Sequence, residues 1–140
     1  MDIKREYDFS LIDAAIRARE FSYSPYSCFK VGAALYTASG SVYVGCNIEN
    51  AAYSPSVCAE RVAFYKAVSE RVYDFEAIAV AGWRDGNNGF AFPCGVCRQV
   101  FAEFCGKKNF RVLVTDGGRD YLVKTLAELL PDHFGPKSVC

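Results

Sequence analysis

The run E-A-I-A-V-A-G at 76–82 constrains the fold most, because after its opening glutamate it holds no polar side chain. A strand with one wet face alternates polar and apolar residues, so an unbroken apolar run reads as a strand covered on both faces. Covers for both faces have to come from helices nearby in the chain. The segment at 57–68, V-C-A-E-R-V-A-F-Y-K-A-V, carries Val57, Arg61, Phe64, Tyr65 and Val68 at helical intervals, and 94–105 reads as another helix opening after Pro93. A second apolar run at 110–115 then repeats the strand. Upstream, 9–21 sets Ile12, Ala15, Ile16 and the stem of Arg19 on one helical face before S-Y-S-P-Y-S breaks it. Runs at 29–36 and 42–46, joined by T-A-S-G, read as an antiparallel hairpin whose register stays open. A short strand at 121–123 and a helix at 125–130, stopped by Pro131, complete the pattern. The expected fold is α/β: a three-layer α-β-α sandwich with a mixed five-stranded sheet, as one domain over 1–140.

With 140 residues and 51% of them hydrophobic, the chain can bury a proper core. Lysine plus arginine and aspartate plus glutamate both number 16, so there is no overall positive field to hold a polynucleotide. The charged start M-D-I-K-R-E-Y-D leads into no apolar core of a signal peptide, and no stretch of about 18 apolar residues could span a membrane. These features predict a cytoplasmic protein with no nucleic-acid or membrane partner. Seven cysteines is a high and odd number, and in a reducing compartment metal binding or redox chemistry is the expected use.

Three of the cysteines fall at predicted helix starts, Cys58 in C58-A-E-R61 and Cys94 with Cys97 in F92-P-C-G-V-C-R-Q99. First-turn side chains lean toward the helix N-terminus, where free N–H groups and the positive end of the dipole favour thiolates. If the two helix starts face each other, three sulfurs meet at one centre. Three protein ligands with a fourth position open is the pattern of a catalytic zinc, one Zn2+ per chain here, and zinc makes water a nucleophile near neutral pH. Glu60, a carboxylate beside the ligands and not among them, can carry the proton. Three thiolates leave the metal centre negative, and Arg61, one helical turn from Cys58, is the cation expected to offset it.

These residues resemble the zinc-dependent cytidine deaminases, whose signature includes a three-cysteine form. The likeness extends to Y26-S-C-F-K-V-G-A-A-L, G45-C-N-I-E-N-A-A-Y-S and E128-L-L-P, in the order found in the small homotetrameric members. It implies cytidine or 2′-deoxycytidine as substrate, with the uracil nucleoside and ammonia as products. It further implies Glu60 as proton shuttle, Asn47 and Glu49 as ribose contacts, Phe29 packing on the nucleoside, and the Ala59 backbone on the base. In a homotetramer with shared sites, Phe134 would reach into the neighbouring subunit and stack on the base, with Tyr53 a second candidate. Phe92, where serine often precedes P-C, and Cys28 depart from the commonest pattern.

Other readings of the same residues give different expectations. A dithiol C94-G-V-C97 would leave Cys58 and Glu60 without a role, and a zinc-stabilised binding module would want a fourth protein ligand. Another aminopyrimidine nucleoside, such as blasticidin S, is an alternative substrate. Glu60 could serve as a capping residue with Ser56, and Asn47 and Asn50 could cap the turn after the hairpin. Cys28, Cys46, Cys105 and Cys140 read as small buried hydrophobes and His133 as a solvated loop residue.

Overall fold

The computed structural model describes residues 4–106, 109–118 and 120–140, with Asn88 described by its backbone. Strands β1 (Phe29–Thr37), β2 (Val42–Cys46), β3 (Phe75–Arg84), β5 (Arg111–Thr115) and β6 (Tyr121–Thr125) lie in the order β2-β1-β3-β5-β6. A three-residue strand, β4 (Asn87–Gly89), folds back on the end of β3. β3 and β5 run parallel and every other pairing is antiparallel, so the sheet is mixed, as expected. The hairpin register is Tyr36 opposite Val42 through Gly32 opposite Cys46.

The two faces of the sheet differ in side-chain size. Ala34, Ala77, Ala79 and Ala81 turn to helix α1 (Asp8–Ala18), which buries Leu11, Ile12 and Ala15 on them. Small residues let the helix axis come close, and at Gly32 a Cβ would collide with the backbone at Ala15 and Arg19. The opposite face presents Ala33, Leu35, Ile78, Val80, Val112 and Val114 to α2 (Ala59–Ser69) and α3 (Gly95–Cys105). Phe64, Phe75, Phe101 and Phe110 fill that layer, with ring centroids 4.9–6.1 Å apart in the pairs that Phe64 makes with the other three. Three layers result, as the double covering of 76–82 required.

Several local expectations are corrected. α2 begins at Ala59 and not at Val57, which instead pairs with Ile48. Its buried face is Ala59, Glu60, Ala63, Phe64 and Ala67, while Tyr65 is half exposed. The alanines win because α2 lies against Gly45 of β2, where a Cβ would collide with the Ala59 carbonyl and Ala63. In α1 the buried stripe is built on Leu11 and Ala18 with Ile12 and Ala15, and Ile16 stays half-buried at its edge. Helix α4 is a single turn, Leu126–Leu129, opened by a capping box between Thr125 and Glu128. Of the four cysteines read as buried hydrophobes, only Cys105 is fully buried. Cys46 is half-buried with its thiol on the Phe21 carbonyl, whereas Cys28 and Cys140 are exposed. Cys28 has a φ of 57° in the exposed turn before β1, outside both core layers. His133 is half-buried rather than solvated, since Nδ1 bonds the Leu130 carbonyl at 3.0 Å. Among the described residues, no helix is long and apolar enough to cross a membrane.

Candidate metal centre and substrate cavity

The pairing registers bring the start of β1, the end of β2 and the end of β3 to one edge of the sheet, with Phe29 opposite Arg84 and Gly32 opposite Cys46. α2 and α3 both start at that edge. Cys58 is the N-cap of α2 and Cys94 the N-cap of α3, each with extended backbone (ψ 155° and 168°), and Cys97 sits buried in the first turn of α3. The three sulfurs lie within 4.8 Å of one another, with Cys58 and Cys94 at 3.6 Å. Sulfurs arranged tetrahedrally at about 2.3 Å from one zinc stand about 3.8 Å apart, so this donor set fits the ion. Among the described residues no fourth histidine, cysteine or carboxylate joins the group, which leaves a coordination position for a reactant.

The proton equilibria around the sulfurs show how tightly they are packed. A hydrogen bond from Cys97 pulls the Cys58 thiol down to about 5 against the effect of burial, with Arg61 helping. The same bond, with burial, pushes Cys97 up. Arg61 donates from Nη2 to the Cys58 sulfur at 3.4 Å, the contact expected of a charge-offsetting cation. Burial acts against its positive charge, but its bonds to Cys58 and Cys97 outweigh that and hold the guanidinium above its ordinary value. Its Nε is buried without a hydrogen-bond partner.

Glu60 is 3% exposed, and burial, then the Cys58 charge, push its carboxyl up to about 7. The capping role considered for it is not realised: the N-cap of α2 is Cys58, with no side-chain cap hydrogen bond, and Ser56 Oγ accepts the Asn50 N–H at 2.9 Å. Asn50 does act in the turn, with Oδ1 accepting from the Ala52 N–H at 2.9 Å.

A cavity of about 340 Å³ opens above Glu60 and the sulfurs, a volume suited to a small ligand. Phe29, Asn47, Glu49, Cys58, Ala59, Glu60, Arg61 and Cys94 all contribute to its wall, so residues scattered from 29 to 94 in sequence meet there. Phe29 is aimed into it partly because its ring takes the space above Gly82, where a Cβ would stand 2.9 Å from Cζ. Asn47 Oδ1 accepts from the Val31 N–H at 2.9 Å and from Ser22 Oγ, and Nδ2 donates to the Phe29 carbonyl at 2.7 Å. Glu49 Oε1 accepts the N–H groups of Tyr26 and Ser27 at 3.0 and 3.1 Å. The Ser27 side chain, then those N–H groups, hold the Glu49 carboxyl low despite the opposing effect of desolvation. Ser27, Val31 and Ala91 complete wall segments that the sequence did not single out as contacts, and Phe92, which departs from the family pattern, also stands in the wall. Only their neighbourhood to Phe29 and Cys94 hinted at this. Tyr53 and Phe134 are absent from this wall and exposed, at 74% and 62%.

Three thiols converging from two helix ends, with a buried proton-exchanging carboxyl beside them under a small cavity, define a zinc-dependent hydrolytic site. Residues 5–113 match the family model described as the cytidine and deoxycytidylate deaminase zinc-binding region. A cytidine deaminase of Sporosarcina psychrophila is 46% identical over 139 residues, 99% of this chain and 96% of the relative. One from Halalkalibacterium halodurans is 48% identical, over 89% of this chain and 91% of the relative. The crystal structure of a cytidine deaminase from Burkholderia pseudomallei superimposes with a TM-score of 0.82 at 46% identity, covering 91% of this chain and 98% of that one. The chain belongs to the zinc-dependent cytidine deaminase family.

Proposed function

We propose that the protein hydrolyses the C4 amino group of cytidine and 2′-deoxycytidine, consuming one water and releasing ammonia with the uracil nucleoside. The observation that carries this reading is Glu60, buried beside the three sulfurs with its carboxyl at about 7. Such a group takes and releases protons at neutral pH, and a deaminase needs one to protonate ring N3 and later the departing amino nitrogen. Zinc, bound by Cys58, Cys94 and Cys97, supplies the Lewis acidity that makes a water nucleophilic at neutral pH. The residues of the chain do the rest. Glu60 moves the protons, the Ala59 backbone at the start of α2 meets the base, and Phe29 packs on the nucleoside.

The sugar end of the cavity supports a nucleoside over a nucleotide. Asn47 uses both acceptor sites and one of its two N–H groups on the protein, which leaves one donor for a hydroxyl. The Glu49 carboxylate, in the same cavity wall, supplies acceptor oxygens. Glu49 is held ionised, and among the described wall residues the one cation, Arg61, is turned to the thiols. A phosphate would meet an anion with no cation to offset it. The test is to follow ultraviolet absorbance of cytidine, deoxycytidine, deoxycytidylate, cytosine, adenosine and blasticidin S with zinc-loaded protein. Turnover of the first two alone is expected, and turnover of deoxycytidylate at a comparable rate would reject the nucleoside reading.

The exposed aromatics extend the reading to assembly. Phe134 and Tyr53 stand outside their own cavity with large apolar surfaces in water, which supports a homotetramer in which Phe134 stacks on a base in the neighbouring subunit. Dissociating and reassembling equal amounts of Phe134→Ala and Glu60→Ala proteins tests this. A shared site predicts activity above the mean of the parents, because a subunit with intact Glu60 can receive Phe134 from its neighbour. Verified mixed assemblies that stay at the mean would show that Phe134 is not donated.

A further inference from the structure

Cys94 is an exposed N-cap, so packing does little to fix it, in contrast to the fully buried Cys97. What fixes it is Arg98. The Arg98 N–H closes the first turn of α3 on the Cys94 carbonyl at 3.0 Å, and Nε donates to the Pro93 carbonyl at 2.7 Å. One residue thus holds the carbonyls on both sides of the Cys94 Cα, and a cysteine has only one torsion between its backbone and its sulfur. The other arm of the guanidinium reaches elsewhere. Nη1 donates at 2.7 Å to the carbonyl of Leu129, the last residue of the one-turn helix α4, where end carbonyls lack helical partners.

The segment beyond Leu129 hangs on the same side of α3. Gln99 Nε2 donates to the Phe134 carbonyl at 2.9 Å, and His133 turns back to the Leu130 carbonyl. A four-residue helix has little stability of its own, so beyond the burial of Leu129 and the packing of Leu130 these bonds help order 129–134. Resting on the reading of Cys58, Cys94 and Cys97 as zinc ligands, we propose that Arg98 is a positioning residue that locks the Cys94 loop to the C-terminal segment. Metal retention and the order of 129–134 are then coupled through one guanidinium. Lysine cannot replace it, because a single ammonium lacks the rigid fork that reaches two carbonyls in different directions.

The experiment compares zinc-loaded wild type with Arg98→Lys, using zinc release into a chelator, hydrogen exchange at 129–134 and the visible spectrum after cobalt(II) replaces zinc. Loss of a partner that orients a metal ligand typically weakens retention about 10–100-fold, so release should quicken by about that factor. Exchange at 129–134 should rise in the same variant, and the cobalt bands should shift because the Cys94 sulfur moves. In wild type alone, zinc removal should speed exchange at 129–134 more than at 111–115, a measurement that does not depend on the variant folding. Wild-type zinc release in Arg98→Lys, or exchange at 129–134 in the wild type that ignores zinc, overturns the coupling. Failure of the ligand reading would look different, because Cys94→Ala would then keep one zinc per chain.

Discussion

Two carboxylates are buried on opposite faces of one sheet, each at the start of a helix, and they are used in opposite ways. Asp8 opens α1 and is fully buried, yet the hydrogen-bond donors around it all favour the charged form. Arg111 grips it with two bonds of 2.7 and 2.9 Å, the Tyr121 hydroxyl donates at 3.0 Å and the Arg5 N–H at 2.9 Å. Burial would raise its pKa, but these donors together hold it below its ordinary value. Glu60 opens α2 at similar burial, and there burial wins, reinforced by the Cys58 charge, so its pKa rises to about 7. The nearby cation that could have paired with it, Arg61, is spent on sulfur instead. A buried acid whose donors outweigh burial stays ionised and fastens the fold, whereas one whose donors do not is left titrating near neutral pH, as the proposed proton shuttle requires.

The largest effect that sharpens this contrast is expected at Glu60. Glu60→Gln keeps the shape and removes the exchangeable proton, so the rate with cytidine should fall at least about 10²–10⁴-fold. Zinc content and thermal stability should stay near wild type, because no saturated ion pair is broken. A variant that keeps a third of the wild-type rate would erase the distinction between the two acids.

At Asp8 the outcome should invert. Asp8→Ala leaves Arg111 without its buried partner, a loss that typically costs about 3–5 kcal/mol of stability, readable by urea unfolding. Activity of the protein that remains folded should match wild type, since the pair lies across the sheet from the cavity. The pH dependence follows from the sign of the shift. A folded pKa below the ordinary 3.8 makes Asp8 contribute its stability above that value and lose it as the pH falls further, through the folded pKa. The acid limb of the stability curve below about pH 4 should therefore flatten in Asp8→Ala, and an unchanged limb would remove Asp8 from that role.

The difference between the two regions also explains what the sequence could reveal. Within each helix start the residues are close in sequence, so Cys58 with Glu60 and Cys94 with Cys97 are legible as local pairs. Their meeting at one centre depends on how α2 and α3 face each other, and in the sequence it rests on the family likeness. The double covering of 76–82 was legible from composition alone. The Asp8–Arg111 pair joins residues 103 apart and has no local signature, so only the packing of α1 on β5 and β6 reveals it. β4 has no sequence signature, because N-N-G carries no apolar alternation and the strand forms only by folding back on the end of β3. The buried face of α2 differs from the one periodicity suggests, because periodicity favours large residues whereas Gly45 makes room for alanines. Asn47 was half legible: its place in the cavity wall followed the family likeness, but its bonds to Val31 and Phe29 depend on a register that the sequence left open.

The smallest predicted effect concerns why Arg61 does not neutralise Glu60. Its Nη2 lies 3.4 Å from the Cys58 sulfur, it also bonds Cys97, and its Nε has no partner, so the guanidinium is committed to the thiolate side. Zinc held by Cys58, Cys94 and Cys97 would sit in a net negative donor set, and a cation bonded to two of the sulfurs, as Arg61 is, would offset part of that charge and so support the Lewis acidity that zinc would supply. Arg61→Ala should lower kcat or zinc retention by about 10–100-fold, a smaller loss than at Glu60 because the ligands themselves remain. Arg61→Lys should fall between, since one ammonium can bond one sulfur well but lacks the fork for two. Parallel measurement of kcat, KM and zinc content decides it. Wild-type values of kcat and zinc content in Arg61→Ala would mean that the negative charge of the centre needs no offset from this residue.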